Sequence, residues 1–290
     1  MRVISWNIQW GRGADGAVNF SRLLETLCEL GPFDVICLQE VASRFPGLAG
    51  GAEEDEIALL REAFPGFVLI GAPGVDVAHP EGGRSRFGNV MLSRLPVGAV
   101  ARHRLPCPPE AGVPSMPRTA VEAVVSLSSG TPVRVVTTHL EYYARTQRMA
   151  QVNYLRQLQA DVVTRAGQIP HPKSASGPFA QPVEPVAALM CGDFNFEPGS
   201  AEWSGLVSDS EGTALWRDAW SIVQPGQAHP ASVGVMGAEW PDRPYCCDFF
   251  FVSTPLAGAV RKVTYDAHSA ASDHQPVVLE IDEAALAPPA

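Results

Sequence analysis

The chain has 290 residues, 46% of them hydrophobic and 18% charged, and a formal net charge of −10. That length suffices for a substantial core in one large domain or two small ones, and the composition excludes a mainly disordered chain. The acidic balance excludes whole-surface attraction to nucleic acid or an anionic membrane, but not a local basic patch or an anionic substrate held through a metal ion.

Taken in chain order, the amino terminus MRVISWNIQW reads as a strand, Val3–Trp6, that begins at once. It has no charged segment followed by an apolar one, so it does not read as a signal peptide. Helical periodicity runs through Phe20–Leu30, with Asn19 as N-cap and Gly31-Pro32 as the stop. Short runs rich in β-branched and aromatic residues follow at Val35–Leu38, Val68–Ile70, Val90–Leu92, Val121–Leu127 and Val133–Thr137, with a helix at Glu54–Phe64 between the first two. A long helix is expected over Arg145–Ala166. Further strands are expected at Ala187–Cys191, Asp248–Ser253 and Val277–Ile281, with weaker helical patterns at Ala201–Leu206 and Ala214–Trp220. The Pro/Ser/Gly-rich stretch Gln168–Pro185 reads as a surface excursion rather than a domain linker, because strands on both sides are needed to complete a sheet. Strands and helices intersperse without strict βαβ alternation, which points to mixed sheets flanked by helices. No apolar run approaches the ~20 residues of a membrane-spanning helix.

Cys28, Cys37, Cys107, Cys191, Cys246 and Cys247 show no zinc-ligand spacing, and six reduced thiols in the cytoplasm is the expectation. Lys173 and Lys262 are the only lysines. The remaining positive charge is Arg, which favours forked contacts to phosphate or carboxylate.

The informative feature is where polar residues fall. RVISWN ends in Asn7, DVICLQE in Glu40, VRVVTTH in His139, and AALMCGDFN in Asp193 and Asn195; Asp248 opens DFFFVS, and Asp273-His274 precedes QPVVLEI. Each alone is an ordinary turn or strand-end residue. Together they line the mouths of six buried strands, where ligand sites collect in sheet folds. Strand alternation would put Asp193 and Asn195 on one side. Glu40 and Asp273 are hard oxygen ligands suited to Mg²⁺ or Mn²⁺, and an Asp beside His274 would fix its tautomer. Carboxylates, a divalent metal, neutral amides and histidines are what water attack on a phosphate ester requires.

In this order, SWN, LQE, TTHLE, GDFN, YCCDFFFVS and SDH resemble the endonuclease/exonuclease/phosphatase superfamily of metal-dependent phosphoesterases, over nearly the whole chain. The resemblance implies an α+β fold, a four-layer αββα sandwich of two mixed sheets packed face to face with helices outside, as a single domain over 1–290. It implies a Mg²⁺- or Mn²⁺-dependent hydrolase, nuclease-like, with a phosphatase or phospholipase acting on inositol phosphates or lipid head groups as the alternative. A silent nucleotide- or protein-binding member ranks lowest, because Glu40, Asp193, Asp248 and His274 are all present. Carried over by position, Glu40 is the main metal ligand, with Asp273 and Asn7 beside it. Asp193 orients or deprotonates water, Asn195 helps hold it, and His274 paired with Asp248 contacts the phosphate. His139 binds another phosphate oxygen, and Arg118 in PRTAVEAVV takes a phosphate-binding place. Arg145 and Arg148 are candidates for the entrance, and Phe45–Gly51 and Trp240 for substrate-facing or membrane-facing groups, with partly buried packing the expected reading. The partner expected is a phosphate ester, nucleic acid among the options, with no obligate protein partner. Gln9 departs from relatives that place a metal-binding Asp there, and Phe249 from branches with Arg after the Asp.

Overall fold

Alternation along the strands sorts the chain into layers. The computed structural model describes residues 1–51, 53–169, 171, 177–208, 215–237 and 241–286. The first half holds β1 (Arg2–Asn7), α1 (Phe20–Leu30), β2 (Val35–Ser43), α2 (Glu56–Ala63), β3 (Val68–Ala78) and β4 (Arg84–Ser93). There follow β5 (Val97–Arg104), β6 (Thr119–Ser126), β7 (Pro132–His139), α3 (Arg145–Ala166), β8 (Ala188–Asp193) and α4 (Ala201–Val207). The chain continues through β9 (Trp216–Asp218), α5 (Ala219–Val223), β10 (Asp248–Ser253), α6 (Thr254–Ala257), β11 (Val260–Tyr265) and β12 (Val277–Ile281). They form two six-stranded mixed sheets, ordered β11-β12-β1-β2-β4-β3 and β5-β6-β7-β8-β10-β9.

One face of each sheet meets the other sheet. Val3, Val35 and Cys37 of the first pack with Val133, Val135, Leu189, Cys191, Phe250 and Val252 of the second in a shared core. The alternate residues face outward onto helices. Ile4, Trp6, Ile36 and Leu38 cover Leu23 and Leu27 of α1 and Leu60 of α2. Met190, Phe249 and Phe251 cover Val152 and Leu155 of α3 and Leu206 of α4. Period-2 strands between period-3.6 helices give the αββα sandwich. The triple Phe of β10 shows why its run is continuous: both faces are buried.

Three strands escape the sequence reading: β5, β9 and β11. All are sheet edges. β5 alternates between partly buried and exposed residues and carries Arg102, His103 and Arg104, while β11 exposes Arg261 and Lys262. Edges that carry charge against further pairing lose the apolar signature of a strand. The Trp216–Asp218 strand also takes three residues of the helix expected over Ala214–Trp220, of which Ala214 lies outside the described residues; the helix begins only at Ala219, where Asp218 caps it. Trp240 lies outside the described residues.

Each sheet contains one parallel pair, β1 with β2 and β7 with β8. Their carboxyl ends set the level of the site. Gly192 lies one residue before that level, at φ 143°, and a Cβ there would sit 1.8 Å from the Thr138 carbonyl oxygen. Backbone cannot move aside cheaply inside a ladder, so Gly192→Ala should cost about 2–4 kcal/mol in a denaturant unfolding experiment.

Beside β2, the carboxylate of Glu56 is 3% exposed and accepts a 2.7 Å hydrogen bond from the Ala42 N–H. Burial, more than its acidic neighbours, pushes its pKa up to about 8. The folded state therefore holds a proton that the unfolded chain releases near the ordinary Glu value. That contribution to stability is complete below about pH 4.5 and is lost as pH rises through 8. Glu56→Gln keeps the acceptor without the charge. Thermal unfolding at pH 5 and pH 8.5 should show the variant gaining on the parent at the higher pH, by on the order of a few kcal/mol.

Candidate active site

Register brings three functional side chains into one row. In the second sheet His139 pairs with Asp193 across the parallel β7–β8 ladder, and Asp193 pairs with Asp248 across the antiparallel β8–β10 ladder. His139 Nε2 lies 3.3 Å from Asp193 Oδ2, and His274 Nε2 approaches the same oxygen at 3.7 Å. Asp248 Oδ2 takes the other side of His274, 2.8 Å from Nδ1. From the first sheet Asn7 Nδ2 donates to Glu40 Oε1 at 3.2 Å and to Asp193 Oδ2 at 3.0 Å. The structure thus brings Asn7, Glu40, His139, Asp193, Asn195, Asp248, Asp273 and His274 to one cleft at the carboxyl ends of the parallel pairs.

Two of these arrive by routes that differ from the expectation. Glu40 is not at a strand end. Gln39 and Glu40 together face Asn89, because the β2–β4 register slips between Leu38 and Val41, and Glu40 adopts φ 58°. A bulge inserts one residue and re-aims a side chain, here into the cleft. Asn195 lies beyond the end of β8 at φ 52°, and its N–H donates to Asp193 Oδ1 at 2.9 Å. A turn, not strand pleating, brings the Asp and Asn together. The Asn195 amide donates to the Leu140 carbonyl at 2.9 Å and approaches His139 Nε2 at 3.0 Å. A carbonyl can only accept, so the contacting atom is the NH₂, and its second hydrogen makes His139 Nε2 an acceptor. The neutral ring then carries its proton on Nδ1.

The two imidazoles sit in opposite electrostatic settings. Burial and then the nearby Arg118 guanidinium push His139 down to about 3, so it is neutral. Burial also disfavours the charged form of His274, but Asp248, Asp193 and Asp273 outweigh it and hold the ring well above its ordinary value, protonated. Burial raises Asp193 too, yet the charged His274, the Asn7 donor and the Asn195 N–H reverse the balance, leaving it a carboxylate. Paired groups pushed apart in this way are the mark of acid and base assignments.

The first-sheet carboxylates have the contrary tendency. Burial, then repulsion from Asp273, pushes Glu40 up to about 7; burial raises Asp273 as well. Both are hard oxygen donors whose charge is undercompensated, and the buried Gln9 Oε1 beside them has no partner among the described residues. This donor set fits a divalent cation of the Mg²⁺ class. Asp193, Cys247 and His274 also cluster within metal-ligand distance. That set fits less well, because burial raises the Cys247 thiol and the acidic neighbours of His274 hold its ring protonated. Asn7 faces the cleft with its donor side; its Oδ1 accepts from the Gln9 N–H at 3.1 Å.

Arg118 lies beside the cleft, 7% exposed, with Nε 3.4 Å from Glu141 Oε2. Arg145 and Arg148 line a neighbouring groove with Asn195, but both pair with Glu202, at 3.0 and 3.3 Å. Three further residues contribute to which the sequence reading assigns no role in the site. Ser232 Oγ donates to Asp248 Oδ2 at 2.7 Å while accepting the N–H groups of Cys247 and Asp248. It lies in an irregular loop, where no periodicity could mark it. Gln9 Nε2 donates to Asp273 Oδ2 at 2.8 Å. Glu141 closes the TTHLE motif and accepts from Arg118 Nε.

Fold and cleft together define a two-sheet sandwich with a carboxylate–imidazole site of the phosphoesterase type. The sequence profile of the Endonuclease/Exonuclease/phosphatase family matches residues 4–274, and the chain belongs to that family. No curated protein matches it in sequence. Among solved structures, an endonuclease/exonuclease/phosphatase from Beutenbergia cavernae is 21% identical, with 97% of this chain and 72% of that one covered at a TM-score of 0.66. The human Nocturnin catalytic domain with bound sulfate anion is 20% identical, covers 96% and 92%, and gives 0.62. A 3′ phosphatase from Neisseria, bound to a product DNA hairpin, is 19% identical, covers 97% and 99%, and gives 0.60. These likenesses show the shared fold.

If Asp248 keeps His274 protonated, Asp248→Asn should lower the His274 pKa. Imidazole proton shifts followed by NMR across pH should show the fall, while His139 stays neutral throughout in both proteins.

Proposed function

We propose that the chain is a Mg²⁺- or Mn²⁺-dependent phosphoester hydrolase, nuclease-like in being a phosphodiesterase, and that residues 1–290 work as one cytoplasmic catalytic unit. The observation that supports this reading best is the meeting of a neutral His139 and a protonated His274 on the Asp193 carboxylate. Glu40 and Asp273 would hold the metal ion, which when bound supplies positive charge to the phosphate oxygens.

Asp193 accepts the proton of the attacking water at its carboxylate. Asn7 and the Asn195 N–H fix that carboxylate from opposite sides, and Asn195 also holds His139 in its Nδ1–H tautomer. His274 presents its Nε2–H to a phosphate oxygen as negative charge develops, and Asp248 with Ser232 keeps the ring charged and oriented. His139 offers Nδ1–H as a second, uncharged donor. Arg118 supplies the only guanidinium assigned to the substrate, which suits an ester with one phosphate better than a polyphosphorylated inositol or a phospholipid head group. No helix among the described residues is long and apolar enough to cross a membrane.

Purified protein should hydrolyse bis-p-nitrophenyl phosphate, or DNA or RNA oligonucleotides, only with Mg²⁺ or Mn²⁺, and chelation should abolish turnover reversibly. Asp193→Ala should lower kcat roughly 10²–10⁴-fold. Turnover that ignores the metal, or survives intact in Asp193→Ala, overturns the proposal.

A further inference from the structure

A second, apolar chamber opens directly beside Glu40. It has a volume of about 380 Å³, within the range of pockets that enclose a small organic group. Its wall is aromatic. Phe87 lies at the centre, with its ring centroid 6.1 Å from Trp10 and 5.9 Å from Phe45, the second pair edge-on. Leu48 and Met116 fill in between, and Tyr143, 63% exposed, stands at the mouth. Such rings offer both faces and edges to a further ring.

Three observations point to a ligand rather than to loose packing. The chamber shares Glu40 and Arg118 with the phosphate cleft, so whatever enters it is continuous with the reacting group. Arg118 is buried, and its Nη1 has no partner among the described residues although Nε is engaged by Glu141. An unpaired buried guanidinium nitrogen is costly unless an anion completes it. Trp10 adopts φ 43°, and its indole Nε1 is tied to the Ala49 carbonyl at 2.8 Å. A bulky residue held at positive φ is characteristic of ligand clamps. The other charged side chains of the lining, Glu40 and Glu141, are acidic. A ring bearing several phosphates would meet one cation and two anions there.

We propose that the natural substrate is a phosphoester bearing a flat aromatic ring. The chamber of Trp10, Phe45 and Phe87 seats that ring, and Arg118 Nη1 takes an oxygen of the adjoining phosphate. This rests on the phosphoester reading above and narrows it to one substrate class, of which a nucleobase and a simple aryl group are the two sources.

Binding separates the two ideas, because it needs no turnover. Calorimetry in Mg²⁺ buffer would compare phenylphosphonate, methylphosphonate, n-hexylphosphonate and thymidine 5′-monophosphate on the parent, Trp10→Ala and Phe45→Ala, each first shown to melt cooperatively. The parent should bind phenylphosphonate roughly ten-fold or more tightly than methylphosphonate. Each variant should lose most of that preference while keeping its methylphosphonate affinity. Thymidine monophosphate binding tighter than phenylphosphonate assigns a nucleotide, and the reverse assigns a smaller aryl ester. Equal affinity for phenyl and methyl, or hexyl matching phenyl, overturns the aromatic chamber and leaves the hydrolase reading standing. An aromatic preference in a protein that hydrolyses no phosphoester keeps the chamber and removes the hydrolase reading instead.

Discussion

The Asn7 carboxamide is the contact on which the cleft depends. Its two N–H groups reach Glu40 in its own sheet and Asp193 in the facing one. A buried hydrogen bond contributes about 1 kcal/mol net, so the gain in energy is modest. The gain in geometry is larger, because a single planar group sets the spacing of two carboxylates that belong to different layers. An ammonium in that place would neutralise them, and a hydrocarbon would let them separate. Beneath it, Gln39 Nε2 donates to Thr137 Oγ1 of the facing sheet at 3.0 Å. This polar tie across an apolar interface carries no charge, and it opposes sliding of the two sheets on a core that is otherwise indifferent to direction.

With the spacing held, chemistry follows from which groups keep their protons. Asp193 lies between two imidazoles that burial treats alike but neighbours treat differently. Arg118 beside His139 reinforces burial; Asp248 behind His274 defeats it. In a site of low polarity a charged ring on one side of a carboxylate and a neutral one on the other are more distinct than in water. The cleft therefore has a direction, with a charged donor side and a neutral one, built from two copies of the same residue type.

Much of this was readable in the sequence, and the exceptions have common physical causes. Strands buried on both faces, such as Ala188–Asp193 and Asp248–Ser253, announce themselves by unbroken apolar runs, and α1 and α3 by period and punctuation. Three of the four edge strands were missed because charge at an edge hides the apolar signature, and the fourth, β3, was read only over Val68–Ile70. The polar residues of the cleft were legible as a set, since Glu, His and Asp are unusual endings for buried strands. Their local geometry was not. Nothing in LQEV distinguishes a strand end from a bulge, and GDFN looked like a pleat when it is a turn. Ser232 was invisible as a functional group, and Gln9 legible only as a departure from the resemblance, because hydrogen bonds between distant loops leave no periodic trace.

The bulge in β2 reaches further than the aim of one carboxylate. Ile36 and Leu38 face the helices, and simple alternation would turn Glu40 outward to join them and Val41 inward. Instead Val41 packs on the helix side with Ile36 and Leu38. The extra residue inverts the phase of the strand halfway along. Deleting Gln39 would restore a regular ladder and move Glu40 into the inward place that Gln39 now holds opposite Thr137, and deleting Glu40 would restore the same ladder and remove the cleft's main carboxylate outright, while the fold stayed nearly as well paired as before. In this segment chain length is therefore a stricter requirement than residue identity. Aliphatic neighbours are interchangeable here to a degree that a one-residue change in length is not.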